Sequence, residues 1–461
     1  MFPLLSRARA GGVALPVLAT IAVGCAQPPT RPEAVREPVP VRVDPMRVEG
    51  SASRNEVLAT VDDYLAYALE HNPAVGAAVE HWRARAERVP QLGAWSDPQL
   101  TIGYFLEEVQ TRTGPQEAKL GLRQAVPWPG LLGGREEAAA AEARAAWRRL
   151  EALRWSIVER VRVALHELRY LDRSIEITGR NLELLRSFES VIRTRYRVGE
   201  GSHPALIRAQ VALGQLDDRC RQLEEFRPTL VAELNALLGR GAGAIDPVPE
   251  LSDAVIDVEL ERLTERARDQ NPGLLALLEE IDAQRRLEDV AQRSGYPSFM
   301  VGVDYIFTGS AVNGGTRGSG DDPVLLTLGV DLPIARSKYR AARREATARR
   351  VAATHDWNDE RNRLASAVQR GWFEHHDADR RARLYAGALV PKATESLEAS
   401  LAGFRSGTST FLDVLDAERT LLEFELERER ARADRAQSLA RLNTLVGGRL
   451  GTRDADASED R

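Results

Sequence analysis

Two hydrophobic rhythms alternate along this chain, and the alternation occurs twice. Between Leu132 and Arg197 the apolar positions keep spacings of three and four: Leu150, Leu153, Ile157, Val161, Leu165, Leu168, Leu171 and Ile175. That spacing lays one apolar stripe along a helix and predicts a coiled-coil-like seam. A helix of that length extends about 100 Å at 1.5 Å per residue, well beyond the globular norm. Elsewhere the period falls to two. Phe299, Val301, Val303, Tyr305 and Phe307 point one way, Gly302 and Asp304 the other. Leu326, Leu328, Val330 and Leu332 likewise oppose Thr327, Gly329 and Asp331. Leu100, Ile102, Tyr104 and Leu106 stand against Thr101 and Gly103, and Leu120 and Leu122 against Lys119, Gly121 and Arg123. Period two predicts strands, here at about 99–107, 118–126, 298–308 and 324–333. Helices are predicted over Thr60–Gly93, Leu132–Arg197, His203–Leu238, Glu259–Arg293, Arg336–Arg405 and Thr410–Val446.

The order helix, two strands, long helix, turn, long helix therefore appears twice, and local motifs repeat with it. His71-Asn72-Pro73 is matched by Gln270-Asn271-Pro272, and Arg195-Tyr196-Arg197-Val198-Gly199 by Gly403-Phe404-Arg405-Ser406-Gly407. The last helices close on Leu234-Asn235-Ala236-Leu237-Leu238-Gly239 and Leu442-Asn443-Thr444-Leu445-Val446-Gly447. Self-similarity at a long fixed offset marks a duplicated structural unit, with boundaries at 55–245 and 246–448 and a disordered tail at 449–461. Gly199, Gly201 and Gly407 break the two helical hairpins, as residues free to take positive φ do.

The strands argue against a simple rod. An apolar face opposite a small, polar or charged face is the pattern of a transmembrane barrel strand. Four strands cannot close a barrel, and an open edge cannot sit in lipid. The chain is therefore expected to share its strands with other copies, three copies supplying twelve. Gly309–Pro323, rich in Gly, Ser and Asp, reads as the exposed outer loop.

The N-terminus adds an address. Arg7 and Arg9 precede the apolar run Gly11–Val23, the length of an export signal and too short to span a bilayer. The run ends in Ala22-Val23-Gly24-Cys25, which resembles a bacterial lipobox; the resemblance implies that residues 1–24 are removed and that Cys25 is lipidated. Acyl chains on Cys25 would anchor the protein in membrane lipid. Ala26 after the Cys resembles lipoproteins sent on to the outer membrane. Residues 25–54, proline-rich and without periodicity, read as an extended tether.

Composition excludes several classes. Lys and Arg number 63 against 68 Asp and Glu, so no basic excess exists to pair with nucleic acid. Two cysteines are too few for a disulfide scaffold, and Cys220 reads as a packing residue within a helix. No phosphate loop, HExxH pattern, CxxC pair or nucleophile elbow appears, so no enzyme activity and no cofactor are expected. His375-His376-Asp377 is the only histidine cluster; its neighbours point about 100° apart on a helix and read as a solvated face. The arginine runs 340–350 and 428–435 read as solvated or interhelical charge faces.

The whole plan, over about residues 55–448, resembles the TolC-like outer-membrane efflux family. The most specific stretch is Gly403-Phe404-Arg405-Ser406-Gly407-Thr408, followed by Phe411-Leu412-Asp413-Val414-Leu415-Asp416-Ala417-Glu418. Val126-Pro127-Trp128-Pro129-Gly130 and the lipobox look closest to lipoprotein members paired with resistance-nodulation-division pumps, metal exporters among them. The resemblance implies a mainly α fold with a membrane β portion. Its homotrimer would form a twelve-stranded barrel continuous with an α-helical barrel across the periplasm. It implies an outer-membrane channel of a tripartite efflux system, working with a periplasmic adaptor and an inner-membrane pump. By the motif match, Asp413 and Asp416 fall where relatives carry acidic rings at the tunnel constriction, which would attract cations. Ser409 stands where some relatives carry a basic gating residue, a departure from the pattern. Arg208 stands at the position matching Asp416 and is expected to latch the closed tip with it. Val198, Gly199, Gly201, Ser406, Gly407 and Thr408 form the tip expected to dock the adaptor. A periplasmic coiled-coil adaptor or scaffold is the competing reading, although adaptors carry one helical hairpin rather than two duplicated units. An envelope hydrolase lacks its catalytic groups.

Overall fold

The computed structural model describes residues 58–454, apart from residues 200, 201, 242–247, 250, 252, 253, 257 and 314. The signal segment 1–24, Cys25, the tether to residue 54, Gly201 and residues 455–461 lie outside the described residues.

Unit one runs α1 (Val61–His71), α2 (Pro73–Gly93), β1 (Gln99–Thr111), β2 (Gly114–Val126), α3 (Leu131–Arg197) and α4 (His203–Leu238). Unit two, after the short β3 (Ala254–Ile256), runs α5 (Leu260–Gln270), α6 (Pro272–Arg293), β4 (Ser298–Thr308) and β5 (Val324–Asp331). It continues through α7 (Arg336–Leu384), a π-helical turn (Tyr385–Leu389), α8 (Val390–Ser406) and α9 (Phe411–Val446), and β6 (Thr452–Asp454) follows. The duplicated order is thus present.

Local chemistry explains where the helices differ from expectation. The single helix expected over Thr60–Gly93 is two, as is that over Glu259–Arg293. Proline disfavours the helical region for the residue before it. Asn72 and Asn271 accordingly sit at φ −67°, ψ 121° and φ −62°, ψ 117°. Each Asn then caps the following helix, its Oδ1 accepting from Ala74 N and Leu274 N respectively, both at 2.9 Å. The helix expected over Arg336–Arg405 is interrupted by the π-turn, just before Pro391, which has no N–H for the ladder. Its counterpart α3 runs 67 residues without a break.

The core is built twice along the helices. In unit one Tyr64 and Leu65 of α1 pack with Leu165 and Leu168 of α3 and Leu234 and Leu238 of α4. In unit two Leu263, Leu274, Leu364, Val368, Leu442 and Val446 play the same part among α5, α6, α7 and α9. The units are stitched by ions. Arg144 of α3 reaches Glu279 at 2.7 Å and Asp282 at 3.1 Å on α6. Glu167 of α3 accepts from Arg430 at 2.9 Å and Gln437 at 2.7 Å on α9.

The four long strands form one antiparallel sheet in the order β1-β2-β4-β5, so the hairpin of unit one pairs with that of unit two. Leu122 stands opposite Leu100 and Val303, and Gly121 opposite Thr101 and Asp304. β1 and β2 run longer than expected and meet at Gly114, whose φ of 143° only glycine takes readily. β3 and β6 pair antiparallel as a second small sheet. The tail expected to be disordered from residue 449 is therefore ordered as far as Asp454. Among the described residues no helix is long and apolar enough to cross a membrane.

Candidate functional site

The sheet has two chemically opposite faces. On one stand Leu100, Ile102, Tyr104 and Leu106, exposed by 63%, 76%, 75% and 94%, continued across β5 by Leu326, Leu328 and Val330. An apolar surface this exposed needs a non-aqueous neighbour. An 11-residue strand such as β4, at about 3.4 Å per residue and tilted about 45°, spans about 25 Å, the apolar band of an outer-membrane barrel. The face alternation expected from the sequence is the one observed.

The opposite face carries charge. Asp304 of β4, fully buried, takes a 3.1 Å contact from Lys119 Nζ, with Arg123 Nη2 at 4.0 Å, both from β2. Thr327 Oγ1 of β5 donates to Asp304 at 3.3 Å. Glycine makes the room: a Cβ on Gly121 would fall 2.3 Å from Asp304 Oδ1, and one on Gly302 3.0 Å from Arg123 Cγ. Each protomer thus sets two cations against the Asp304 carboxylate on this face. Asp304 was visible only as a polar member of the alternation. Its partners lie far away in sequence and meet it through register alone.

At the other end lie the hairpin turns. Val198 and Gly199 close α3 and Ser406, Gly407 and Thr408 close α8; all five are exposed. Gly199 and Gly407 take φ of 78° and 81°. A Cβ on Gly403 would meet Ser409 Oγ at 2.2 Å, so the turn folds back on its own helix. Thr408 N and Ser409 N accordingly donate to the Gly403 carbonyl at 2.8 and 3.1 Å.

Asp413 sits at the third position of α9 in a capping box. Its Oδ2 accepts from Thr410 N at 2.7 Å and Thr410 Oγ1 at 2.8 Å, and Thr410 Oγ1 accepts from Asp413 N at 3.4 Å. The hydrogen bonds from the Thr410 hydroxyl and backbone hold its carboxyl below the usual carboxylate range, so it is ionised. Asp416 is exposed one turn on. The expected latch is not made within the chain: neither Arg208 nor Asp416 has an ion-pair partner among the described residues. Their matching positions in the two units are corresponding places on separate hairpins, and correspondence does not bring side chains together. Arg195 of α3 does reach α8 at the tip, its guanidinium lying 4.6 Å over the Phe404 ring. Both residues lie inside the repeated motif, but a cation–π pair between its two copies leaves no mark on either one.

One buried acid completes the tip. Glu418 of α9 lies beside an apolar cluster of Leu184 and Phe188 from α3, Leu397 and Leu401 from α8, and Val414 and Leu421 from α9. Its Oε1 has no hydrogen-bond partner among the described residues. Burial pushes its carboxyl up to about 7, against the opposing field of Arg419.

The remaining candidates read differently. His375 is not on a solvated face: it is buried between α7 and α9, Nδ1 lying 3.1 Å from the Arg435 carbonyl. Desolvation pushes it down to about 4. His376 is exposed, as expected. Cys220 is buried, and burial and Glu224 raise its thiol. Among the described residues no three His, Cys, Asp or Glu side chains are grouped to hold a metal.

Comparison with known proteins accords with this geometry. Residues 263–448 match the family described as outer membrane efflux protein. The outer membrane protein TolC of Vibrio cholerae is 29% identical over 191 residues, 41% of this chain. The match spans 43% of that relative's length. Solved structures match over far more. VceC of Vibrio cholerae superposes with a TM-score of 0.70 at 18% identity, covering 85% of this chain and 97% of its own. CusC gives 0.69 at 14% identity, over 87% and 96%. The open MtrE channel of Neisseria gonorrhoeae gives 0.69 at 18%, over 87% and 94%. The fold is therefore that of the TolC-like outer-membrane channels, a helical barrel joined to a β-barrel, and the resemblance read from the sequence stands.

Proposed function

We propose that this chain is the outer-membrane channel subunit of a tripartite efflux system. It is a passive conduit, built by a homotrimer, that carries metal ions or drugs to the exterior. The observation that carries this reading is the sheet. One face is apolar and exposed, the other holds Lys119, Arg123 and Asp304, and both outer strands, β1 and β5, have a free edge. Open edges cannot face lipid, because each unpaired backbone group costs several kcal/mol there. Further copies must pair β5 with β1, and three copies give twelve strands. A soluble adaptor has no use for such a face.

At the helical end, three copies of Asp413 and Asp416 would ring the axis. Asp413 is suited to this because its hydrogen bonds to Thr410 favour the charged form. Arg208 would latch the closed tip only across protomers, to an Asp416 of a neighbouring copy. Val198, Gly199, Gly201, Ser406, Gly407 and Thr408 would meet a periplasmic adaptor, and an inner-membrane resistance-nodulation-division pump would supply the energy. Cys25 would carry the lipid that tethers the chain to the outer membrane. None of this calls for a catalytic group, and the function is transport rather than catalysis.

The test is single-channel conductance of the detergent-extracted protein in planar bilayers, comparing wild type with Asp413→Asn/Asp416→Asn. Asparagine preserves much of the capping while removing the charge. Discrete cation-selective openings that lose selectivity in the double variant are expected. A water-soluble monomer without conductance would overturn the channel reading in favour of a scaffold.

A further inference from the structure

Where the sheet gives way to helix, the surface changes from apolar to aromatic to basic within a few residues. Trp128, after β2, stacks on Tyr296, just before β4, with ring centroids 4.9 Å apart, and on Phe299 at 6.3 Å. Trp95, before β1, is 58% exposed. After β5 come Leu332 and Ile334, exposed by 67% and 84%. All belong to one end of the sheet, since Val126 pairs with Phe299 and Asp331 with Ser298.

α7 begins at this level: a Cβ on Gly295 would lie 3.7 Å from Tyr339 Cβ. Its first turns carry Arg336, Lys338, Arg340, Arg343 and Arg344 with no acid before Glu345. Arg336, Arg340 and Arg344 follow each other at four-residue steps and so share one face. All three are exposed, and their guanidinium groups make no hydrogen bond or ion pair among the described residues. Two turns further on the same helix behaves ordinarily, Arg350 pairing with Glu288 at 2.7 Å and Arg349 with Glu345 at 2.5 Å. Arg208 and Arg370 also lack ion-pair partners among the described residues, but here three such cations follow one another on one helix face beside the aromatic and apolar rim.

We propose that this rim is a lipid-recognition surface. Trp95, Trp128 and Tyr296 sit at the headgroup boundary of the leaflet nearest the helical barrel. Arg336, Arg340 and Arg344 bind the phosphates of anionic phospholipids there. The inference rests on the channel reading, because it needs the sheet to lie in a bilayer. The physics is that of any membrane interface. Amphipathic aromatic rings favour the headgroup zone, and basic side chains beside an anionic surface are each worth about a fivefold preference. Arginine suits phosphate because its planar fork donates in pairs. Three protomers would repeat the patch around the barrel.

The test is lipid retention. Purified protein is reconstituted into nanodiscs of mixed phosphatidylethanolamine and phosphatidylglycerol, re-extracted, and its bound lipid identified by mass spectrometry. Wild type is expected to retain phosphatidylglycerol several-fold above its share of the mixture. Arg336→Gln/Arg340→Gln/Arg344→Gln should lose most of that enrichment, while the triple lysine variant keeps it. Heat-resistant migration of the trimer on a gel reports assembly of each variant. Inserted wild type with no enrichment, or a glutamine variant that keeps it, overturns this inference alone. Retained enrichment with altered ion selectivity places the stripe in the pore and overturns it too. Protein that never inserts overturns the channel reading and this inference together.

Discussion

The side-chain amide of Asn72 donates a 2.8 Å hydrogen bond to the carbonyl of Leu237, fastening the start of α2 to the end of α4. The second unit repeats the bond, Asn271 Nδ2 reaching the Leu445 carbonyl at 2.9 Å. Each Asn therefore does three things: it breaks the helix before its proline, caps the next one, and satisfies an orphan carbonyl at a helix C-terminus. Asn72→Ala and Asn271→Ala should each cost about 1–3 kcal/mol, from a lost cap plus an unmet buried carbonyl. Asn72→Asp keeps the cap acceptor but turns a donor into an anion facing a carbonyl, and should be worse than alanine. The heat-dissociation midpoint of the trimer measures both.

The same two joints need glycine. Gly239 and Gly447 take φ of 70° and 72°, and a Cβ there would fall 2.4 Å from the His71 carbonyl oxygen and 2.6 Å from that of Gln270. Gly239→Ala and Gly447→Ala combine left-handed strain with a backbone clash and should lose at least about 2 kcal/mol each. Gly179 in the middle of α3 has open space around its missing Cβ and no positive φ. Gly179→Ala should be neutral or stabilising by up to about 1 kcal/mol. Equal losses at all three positions would mean that the joints are not special.

How far the sequence could be read follows from these joints. The Asn-Pro and Leu-Asn…Gly motifs were legible as paired signals because each is local. The bonds between them were not, since nothing in either says that they meet. The strands were legible for the same reason: period two assigns Leu100 and Val301 to a face without knowledge of their neighbours. Asp304 against Lys119 required the pairing of β2 with β4, and the three-residue strands β3 and β6 are too short to carry a period at all. Arg208 and Asp416 do not pair within the chain because a repeat offset identifies equivalent positions, whereas contact depends on how the copies pack. Arg195 and Phe404, which do touch, are not equivalent positions.

Asp304 and its two cations answer to the rule for buried pairs, in which removing one partner hurts more than removing both. Asp304→Leu leaves Lys119 and Arg123 facing each other and should lower the trimer's dissociation temperature. Asp304→Leu combined with Lys119→Met should recover part of the loss. A double variant no better than the single one would show that the pair does not couple, and a double-mutant cycle on heat dissociation reads this directly.

The Arg195–Phe404 contact joins two helices that must separate if the tip widens. Such a pair is worth about 0.5–2 kcal/mol. Phe404→Leu keeps the apolar packing but removes the ring face, and should raise the open probability in bilayers several-fold. Arg195→Gln should match it, and the two changes together should add little to either alone. Additive effects would place the two residues on separate elements of the gate.

Two buried groups give opposite dependences on pH. Glu418 is raised from its ordinary 4.5 to about 7, so the folded protein holds a proton there that the unfolded chain has released. Its contribution is therefore full below pH 4.5 and is lost as pH rises toward 7. His375 is lowered from 6.5 to about 4, so the unfolded chain takes up the proton first. Its contribution is full above pH 6.5 and is lost as pH falls toward 4. Between about 4.5 and 6.5 the two slopes have opposite sign, each at most about 1.4 kcal/mol per pH unit, and they largely cancel. Heat dissociation of the wild type should accordingly change little across that window. Glu418→Gln removes the falling slope, so its stability should climb from pH 4.5 to 6.5 and exceed wild type at pH 8, where the charged carboxylate no longer has to be buried. His375→Gln leaves the falling slope and should be most stable near pH 4.5. If both variants track the wild type across the window, neither burial costs the fold what its surroundings require.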